Sequence, residues 1–424
     1  MKPSYLCLLC NRRIDANKLS AHKAEHKESD HYGFLWPLFS NHRQNRRLCT
    51  VATYTSPYIA QELGISKVYI RDEGSNLSGS MKDYLVEQAV IHGMNTNHKI
   101  FSVVSSGNHA VSLARYTNFC GAKAIVFVPA SSSKIPILAA LPNTLVIGIK
   151  DAIFEEVYAI GAKLDIPGIY NANVSNELLL TGLSTVSNAI TALQPLPTHI
   201  LAGVGNGSYL AGIAFGLQHL NGTMPKIIPV GMKGAFPTEQ AFSTSSFIHE
   251  YETFLEEETL IDAAEGSIAI ASYSMPQLIH ALRTSQGFTL GGLINDDLAA
   301  AYNLLIKEKV LAGRGVIPEP TGIMGLAAAL KHRDKFQRTD ILHISFTGHA
   351  VKDCDGIERL LGEAGKPLTA TARKVRPDLI GTKSHHQLSN VVTLEKECHD
   401  IKSCILEWLK ENPVSKSFRP LRVG

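Results

Sequence analysis

The 424-residue sequence predicts an α/β protein in which helices and strands alternate around open parallel sheets. Short β-branched runs recur through the middle of the chain, and most are followed by Gly, Ser or Asn and then a helix-length segment. This is the pattern of βαβ units. Hydrophobic residues make up 45% of the chain and charged residues 19%, so we also expect a large buried core. The predicted strands are 68–70, 100–104, 124–128, 144–149, 199–202, 227–231 and 341–346.

The composition divides the chain into three zones. Residues 1–50 are basic and rich in histidine, residues 51–360 carry the alternating pattern, and residues 361–424 are mixed and polar. One helix is predicted in the last zone, roughly over 394–409, and it carries Trp408. The whole chain has 41 Lys and Arg against 38 Asp and Glu, a net charge of +3. This near-balance argues against a general nucleic-acid or membrane-surface binder.

The sequence predicts a cytoplasmic protein. No run approaches the roughly 20 apolar residues that a membrane span needs, and no secretory signal is evident. The seven cysteines are an odd number, which favours reduced thiols.

The first of three informative loops is 76–83, in which small residues lead into a helix-like run over 83–92. Lys82 lies at the start of that run. The positive end of a helix dipole favours a neutral amine over an ammonium there. A neutral amine suits covalent chemistry on a carbonyl group. The alternative is a solvated lysine at a helix start.

The second loop follows the predicted strand 100–104 and precedes a predicted helix over 110–119. Successive backbone N–H groups at such a helix start can hold a carboxylate, and the alternative is a plain helix cap. The loop residues are Ser105, Ser106, Gly107, Asn108 and His109.

The third loop follows the predicted strand 199–202 and precedes a predicted helix over 209–220. Its glycines let the backbone approach an anion, and a helix start binds phosphate. A dinucleotide site would need the spacing G-x-G-x-x-G and an acidic residue about 20 positions on. The spacing here is G-x-G-x-G, so we predict a phosphate cradle for a smaller cofactor. The loop residues are Gly203, Val204, Gly205, Asn206, Gly207 and Ser208.

Together and in this order, the three loops resemble those of the fold type II (tryptophan synthase β-like) pyridoxal-phosphate enzymes. The resemblance covers an enzyme body over about residues 50–360. It implies two open-sheet αβα domains, a smaller one over about 75–180 and a larger one from the flanking segments and 181–360. Residues 361–424 would then form a C-terminal extension.

The resemblance also implies roles for the loop residues. Lys82 would carry the cofactor, pyridoxal 5'-phosphate, and later move protons, and Asn108 would bind the cofactor's ring hydroxyl. The loop 203–208 would hold the cofactor phosphate. The substrate carboxylate would lie against Ser105, Ser106, Gly107 and His109.

A fourth motif, 346–353, is similar to the Thr-Gly-His-Gly-Leu-Lys-Asp segment of threonine synthases. It implies that Thr347 meets the pyridine nitrogen. A neutral hydroxyl partner makes the ring a weaker electron sink, which suits β-elimination and replacement. The segment 319–322 also resembles a family segment near the cofactor. Met81, Tyr84 and Ala350 depart from the family pattern and leave the substrate open.

The predicted activity is therefore that of a lyase similar to threonine synthase, converting O-phosphohomoserine and water to threonine and phosphate. The alternatives are a serine/threonine dehydratase and a phosphoserine-dependent β-replacement enzyme that resembles cysteate or cysteine synthases. An alternative of another class is a zinc-finger binding protein with a vestigial enzyme body. We expect a homodimer with a small amino-acid substrate, and neither a membrane nor a nucleic-acid partner.

The first 30 residues predict a small zinc module. Cys7, Cys10, His22 and His26 follow the order of a Cys-Cys-His-His finger. Two thiolates and two imidazoles suit tetrahedral structural Zn²⁺. The alternative is a surface helix with incidental histidines. Because specific duplex recognition normally takes several fingers or a dimer, a structural or interaction appendage is favoured over a nucleic-acid reader.

Overall fold

The chain divides into two compact units, each described by itself. The first comprises the described residues before Leu77 together with Leu180–Pro377, and the second comprises Leu77–Leu179 and the described residues from Asp378 onward. The computed structural model describes residues 4–7, 12–18, 21, 22, 25, 35–38, 51–105, 107–132, 135–152, 154–164, 166–218, 224–244, 264–267, 274–380, 390–396 and 398–413.

The helices and strands alternate along both units. Up to Asn76 the described elements are β1 (Ser4–Cys7), β2 (Arg13–Asp15), β3 (Leu35–Leu38), β4 (Thr53–Thr55), α1 (Pro57–Leu63) and β5 (Lys67–Asp72). The next elements, which belong to the second unit, are α2 (Lys82–Asn95), β6 (Ile100–Val104), α3 (Asn108–Cys120), β7 (Lys123–Pro129), α4 (Ile135–Ala139), β8 (Thr144–Ile149), α5 (Phe154–Lys163) and β9 (Ile169–Asn171).

The chain then returns to the first unit. Its elements there are α6 (Leu180–Ser184), α7 (Val186–Thr191), β10 (His199–Gly203), α8 (Ser208–Gln218), β11 (Lys226–Met232), α9 (Pro237–Thr244), α10 (Met275–Thr284), β12 (Leu290–Leu293), α11 (Asn295–Glu308), α12 (Val310–Gly313), α13 (Pro320–Lys331), β13 (Ile341–Phe346), α14 (Cys354–Leu361) and α15 (Lys366–Val375). The last described elements, in the second unit, are β14 (Val391–Leu394) and α16 (Cys398–Glu411).

The main sheet of the first unit has the order β12-β11-β10-β13-β5-β4. Its pairs are parallel except for β4, which runs antiparallel along β5 at the edge. All six residues of β13 are buried, as expected for a parallel strand covered on both faces. The parallel register brings the carboxyl ends of β5, β10 and β13 to one edge of this sheet. A separate antiparallel sheet, β2-β1-β3, comes from the N-terminal zone.

The sheet of the second unit is parallel throughout its described strands, in the order β14-β8-β7-β6-β9. The confirmed strand predictions include 144–149 and 341–346, which coincide with β8 and β13. These two units give the chain the predicted α/β fold. Within the described residues, no helix combines the length and apolar character needed to cross a bilayer.

The structure divides the segment 361–424, which the sequence analysis treated as one extension. Residues through Pro377 belong to the first unit, whereas β14 completes the sheet of the second by pairing with β8. The predicted helix over 394–409 was wrong at its start, since 391–394 forms β14 and α16 begins at Cys398. The run Val-Val-Thr-Leu favours a strand once an open sheet edge is beside it.

The helix α16 packs through one stripe of side chains in the second unit. Ile401, Ile405 and Trp408 are buried at helical spacing. The Lys123 ammonium lies 4.8 Å from the centre of the Trp408 ring, within the range of a cation–π contact. The helix α16 therefore contributes to the core of this unit.

We predict that Trp408→Ala lowers the free energy of unfolding of the second unit by about 3–5 kcal/mol, because it leaves a cavity beneath Lys123. The matched control is Leu406→Ala on the same helix, where the side chain is 43% exposed and a change of about 0.5 kcal/mol or less is expected. Urea titration followed by circular dichroism measures both. Equal effects of the two substitutions would contradict the packing described here.

Candidate active site

Lys82 is the first residue of α2, which continues to Asn95. The loop before it is held by the fully buried carboxylate of Asp83. Asp83 accepts hydrogen bonds from the Ser78 N–H at 2.9 Å, from the Ser78 hydroxyl and from the Ser112 hydroxyl at 2.6 Å. Because Ser112 lies on α3, this carboxylate fixes the start of α2 against a second helix of the same unit. Asp83 is a positioning residue that the sequence analysis missed.

The second predicted loop lies at the carboxyl end of β6, where α3 begins at Asn108, two residues earlier than predicted. The Ser105 hydroxyl accepts a hydrogen bond from the Gly107 N–H at 3.2 Å. This N–H is therefore engaged inside the loop. A Cβ atom at Gly107 would have no heavy atom within 4 Å, so the loop presents an open face there. Ser106 lies outside the described residues.

His109 follows Asn108 in the first turn of α3 and is 2% exposed. Its Nε2 donates to the carbonyl oxygen of Ala172 at 2.7 Å. Burial lowers the pKa of His109 to about 3, and the charge of Lys82 acts in the same direction. The imidazole beside Lys82 is therefore neutral at physiological pH.

The third predicted loop connects the end of β10 at Gly203 to the start of α8 at Ser208. A Cβ atom on Gly203 would lie 2.8 Å from the carbonyl oxygen of Thr321. Gly207 has a φ of +78°, and a Cβ atom there would approach Leu278 to 2.9 Å. Both positions therefore require glycine. The loop ends at a helix N-terminus, where backbone N–H groups and the helix dipole favour an anion.

Thr347 follows the last residue of β13 directly and is buried. The next carbonyl, that of Gly348, accepts a hydrogen bond from the Glu319 N–H at 2.8 Å and lies 3.1 Å from where a Cβ on Gly322 would be. The segment 319–322 therefore contacts the Thr347 motif and, through Thr321, the loop at Gly203. We call these three segments, 203–208, 319–322 and 347–348, the anion-loop cluster.

The predicted zinc ligands fall only partly within the described residues. Cys7 and His22 are described and buried, whereas Cys10 and His26 lie outside the described residues. His22 Nδ1 lies 3.2 Å from an Arg12 guanidinium nitrogen and 3.3 Å from Glu25 Oε2. Within the part of the chain that the structure describes, no three His, Cys, Asp or Glu side chains are grouped for a metal. The zinc site is thus not supported by the described residues.

Comparisons with known proteins identify the family of the chain. Residues 51–348 match the family described as "Pyridoxal-phosphate dependent enzyme", and the chain belongs to that family. It is 24% identical over 325 residues to a threonine synthase of Methanocaldococcus jannaschii, covering 74% of this chain and 78% of the relative.

Solved structures show the same fold at lower identity. The processed form of threonine deaminase isoform 2 from Solanum lycopersicum has a TM-score of 0.59 and 19% identity, covering 73% of this chain and 86% of that one. Maize serine racemase has a TM-score of 0.57 and 19% identity, covering 70% and 88%. The chain therefore has the α/β architecture of fold type II pyridoxal-phosphate enzymes.

The described residues fit such a cofactor. The anion-loop cluster combines glycines that allow close approach, a helix N-terminus suited to phosphate and a buried neutral hydroxyl on Thr347. In the second unit, Lys82 lies at a helix start whose neighbouring carboxylate, Asp83, is already committed to hydroxyl and backbone donors. The described residues thus include a lysine for the aldehyde, a glycine-rich loop for the phosphate and neutral polar groups for the ring.

We predict that the His109 imidazole stays neutral from pH 5 to pH 9 with its proton on Nε2. Its pKa of about 3 lies well below this range, and Nε2 is the nitrogen that donates to Ala172. Nitrogen-15 spectra of selectively labelled histidine measure both properties, and His109→Gln assigns the signal. A ring that titrates between pH 5 and pH 8, or a proton on Nδ1, would be the contrary result.

Proposed function

We propose that this chain is a pyridoxal-phosphate-dependent lyase that acts on a small amino acid in the manner of threonine synthase. The observation that carries the proposal is the buried Thr347 hydroxyl in the anion-loop cluster, placed directly after β13. A neutral partner for a pyridine nitrogen suits elimination and replacement at Cβ. The threonine synthases among the relatives support the same choice.

The proposed cofactor contacts are assigned to individual residues. Lys82 and Asn108 would bind the aldehyde carbon and the ring hydroxyl, and Thr347 would bind the ring nitrogen. The residues 203–208 would hold the phosphate. The chemistry of these residues and their geometry within each unit support these assignments.

In the proposed chemistry the protein side chains transfer protons, hold the helix start in place and bind an anion. When bound, the cofactor supplies an electron sink for bonds that break at the substrate's Cα. Lys82 moves protons at Cα and Cβ, and Asp83 keeps the start of α2 in place while it does so. Because the pKa of His109 is about 3, its imidazole is too weak a base to compete with Lys82 for the proton. The first turn of α8 holds an anion through its N–H groups.

The substrate is proposed to be O-phosphohomoserine, which yields threonine and phosphate with water. A carboxylate beside Ser105, Gly107, Asn108 and His109 would be bound by neutral polar groups rather than by a cation, since His109 is uncharged. The substrate phosphate requires a cationic partner of its own. The substrates of a serine/threonine dehydratase carry no phosphate and need no such partner. Analysis of the products therefore separates these activities.

We predict that the purified protein, supplied with pyridoxal 5'-phosphate, has a visible absorbance band that is absent in Lys82→Ala. The matched control is Lys150→Ala in the same unit, whose ammonium is half-exposed and paired with Glu395 at 2.8 Å. This variant should keep the band, because Lys150 is distant in sequence and paired elsewhere. A wild-type protein without a band would instead favour a vestigial enzyme body.

We further predict release of phosphate and formation of threonine from O-phosphohomoserine, both lost in Lys82→Ala. The same assay is run with O-phosphoserine, serine and threonine, measuring phosphate and keto acid. Phosphate from O-phosphoserine alone would indicate a β-replacement enzyme, and keto acid from serine or threonine would indicate a dehydratase. No phosphate from either phosphoester would exclude the threonine synthase activity.

Structural zinc at Cys7, Cys10, His22 and His26 stays a prediction, separate from the enzyme activity. A zinc assay of the purified protein before and after Cys7→Ser measures it directly. If both proteins bind equal amounts of zinc, or if neither binds any, the predicted zinc site is wrong.

A further inference from the structure

A group of hydrogen-bonded, buried polar side chains lies in the first unit and takes no part in the contacts proposed so far. Arg71, Glu73, Tyr209 and Ser345 are each no more than 3% exposed. The Arg71 guanidinium donates to Glu73 Oε1 at 2.6 Å, and the Tyr209 hydroxyl donates to the same oxygen at 2.8 Å. The other oxygen of Glu73 accepts from the Asn76 amide at 2.6 Å. Glu73 is thus held from both sides.

The tyrosine also contacts the central strand of the sheet. Its hydroxyl oxygen lies 3.1 Å from Ser345 Oγ. Since the single phenolic proton goes to Glu73, the Ser345 hydroxyl supplies the proton for this second bond. Burial and the neighbouring Glu73 carboxylate raise the pKa of Tyr209 well above its usual value, so the phenol keeps its proton.

Tyr209 and Ser345, which this hydrogen bond joins, each lie beside a segment of the anion-loop cluster. Tyr209 is the second residue of α8 and directly follows Ser208, the last residue of the anion loop. Ser345 lies two residues before Thr347 on the strand that ends there. One phenol therefore connects the start of α8, the proposed phosphate-binding helix, to β13, the strand that leads to Thr347.

A core-stabilising role alone does not need this arrangement. A buried ion pair such as that of Arg71 and Glu73 contributes little net stability, because desolvation offsets the attraction. Such networks instead fix the relative position of the groups that they join. Here the joined elements, α8 and β13, are the two that carry the proposed contacts to opposite ends of the cofactor.

We propose that Tyr209 is a positioning residue that sets the separation between the anion loop 203–208 and Thr347, so that the phosphate and the pyridine nitrogen are held together. This inference rests on the proposed cofactor contacts. Tyr209 acts through the loop and the strand and does not itself touch the cofactor.

The test compares Tyr209→Phe with Tyr69→Phe. Tyr69 is a buried tyrosine of the same unit whose hydroxyl donates to the Pro195 carbonyl at 2.9 Å, so the control also removes one buried hydrogen bond. Dissociation constants of the cofactor-free protein are measured for pyridoxal 5'-phosphate and for pyridoxal, which lacks the phosphate. The dissociation constant for pyridoxal divided by that for pyridoxal 5'-phosphate reports how much the phosphate contact adds to binding of the ring.

We expect Tyr209→Phe to weaken pyridoxal 5'-phosphate binding by about tenfold to hundredfold, the range for a hydrogen bond to a charged group. Pyridoxal binding should change much less, so the ratio falls toward one. Tyr69→Phe should leave the ratio as in the wild type. Ser345→Ala removes the other end of the link and should lower the ratio in the same direction, which keeps the inference testable if Tyr209→Phe fails to fold.

Three results would overturn the inference, and they are distinguishable. If Tyr209→Phe and Ser345→Ala lose thermal stability but keep the wild-type ratio, their role is structural only. If Tyr69→Phe lowers the ratio equally, the effect is not specific to the link. If the wild-type protein binds neither compound, the proposed function fails and the inference fails with it.

Discussion

Helix N-termini at the carboxyl ends of parallel strands are the constraint on which the candidate site depends. In the first unit β10 leads through glycines into α8, and in the second β6 leads through Ser105 and Gly107 into α3. A parallel sheet brings such ends to one edge, and each helix start offers backbone N–H groups and a positive dipole. At Gly203 a Cβ atom would collide with the Thr321 carbonyl, so the loop 203–208 is packed tightly against the segment 319–322.

Buried hydrogen-bonding partners surround the charged groups in both units. In the second unit, burial keeps His109 neutral beside Lys82, and the Asp83 carboxylate is committed to serine donors. In the first unit, the charge of Glu73 is shared by Arg71 and Tyr209. Fixed hydrogen bonds of this kind hold these buried groups in defined positions.

The sequence was sufficient to predict the strands and loops that depend on local residue patterns. Strands β8 and β13 and the anion loops were placed by β-branched runs followed by small residues. The strand β12 was missed because Leu-Gly-Gly-Leu has no β propensity of its own and depends on pairing with β11. The links made by Asp83 and Tyr209 were missed because their partners lie 29 and 136 residues away, a distance that no spacing rule covers. The roles of the individual site residues stay predictions.

The central claim, that Lys82 is the lysine that carries the cofactor, is tested most directly by chemical trapping. The protein loaded with pyridoxal 5'-phosphate is reduced with borohydride, digested and mapped by mass spectrometry, so that the reduced cofactor stays on the lysine that held it. The account predicts the added mass on the peptide that contains Lys82. The added mass on another lysine, or on no peptide at all, would contradict it.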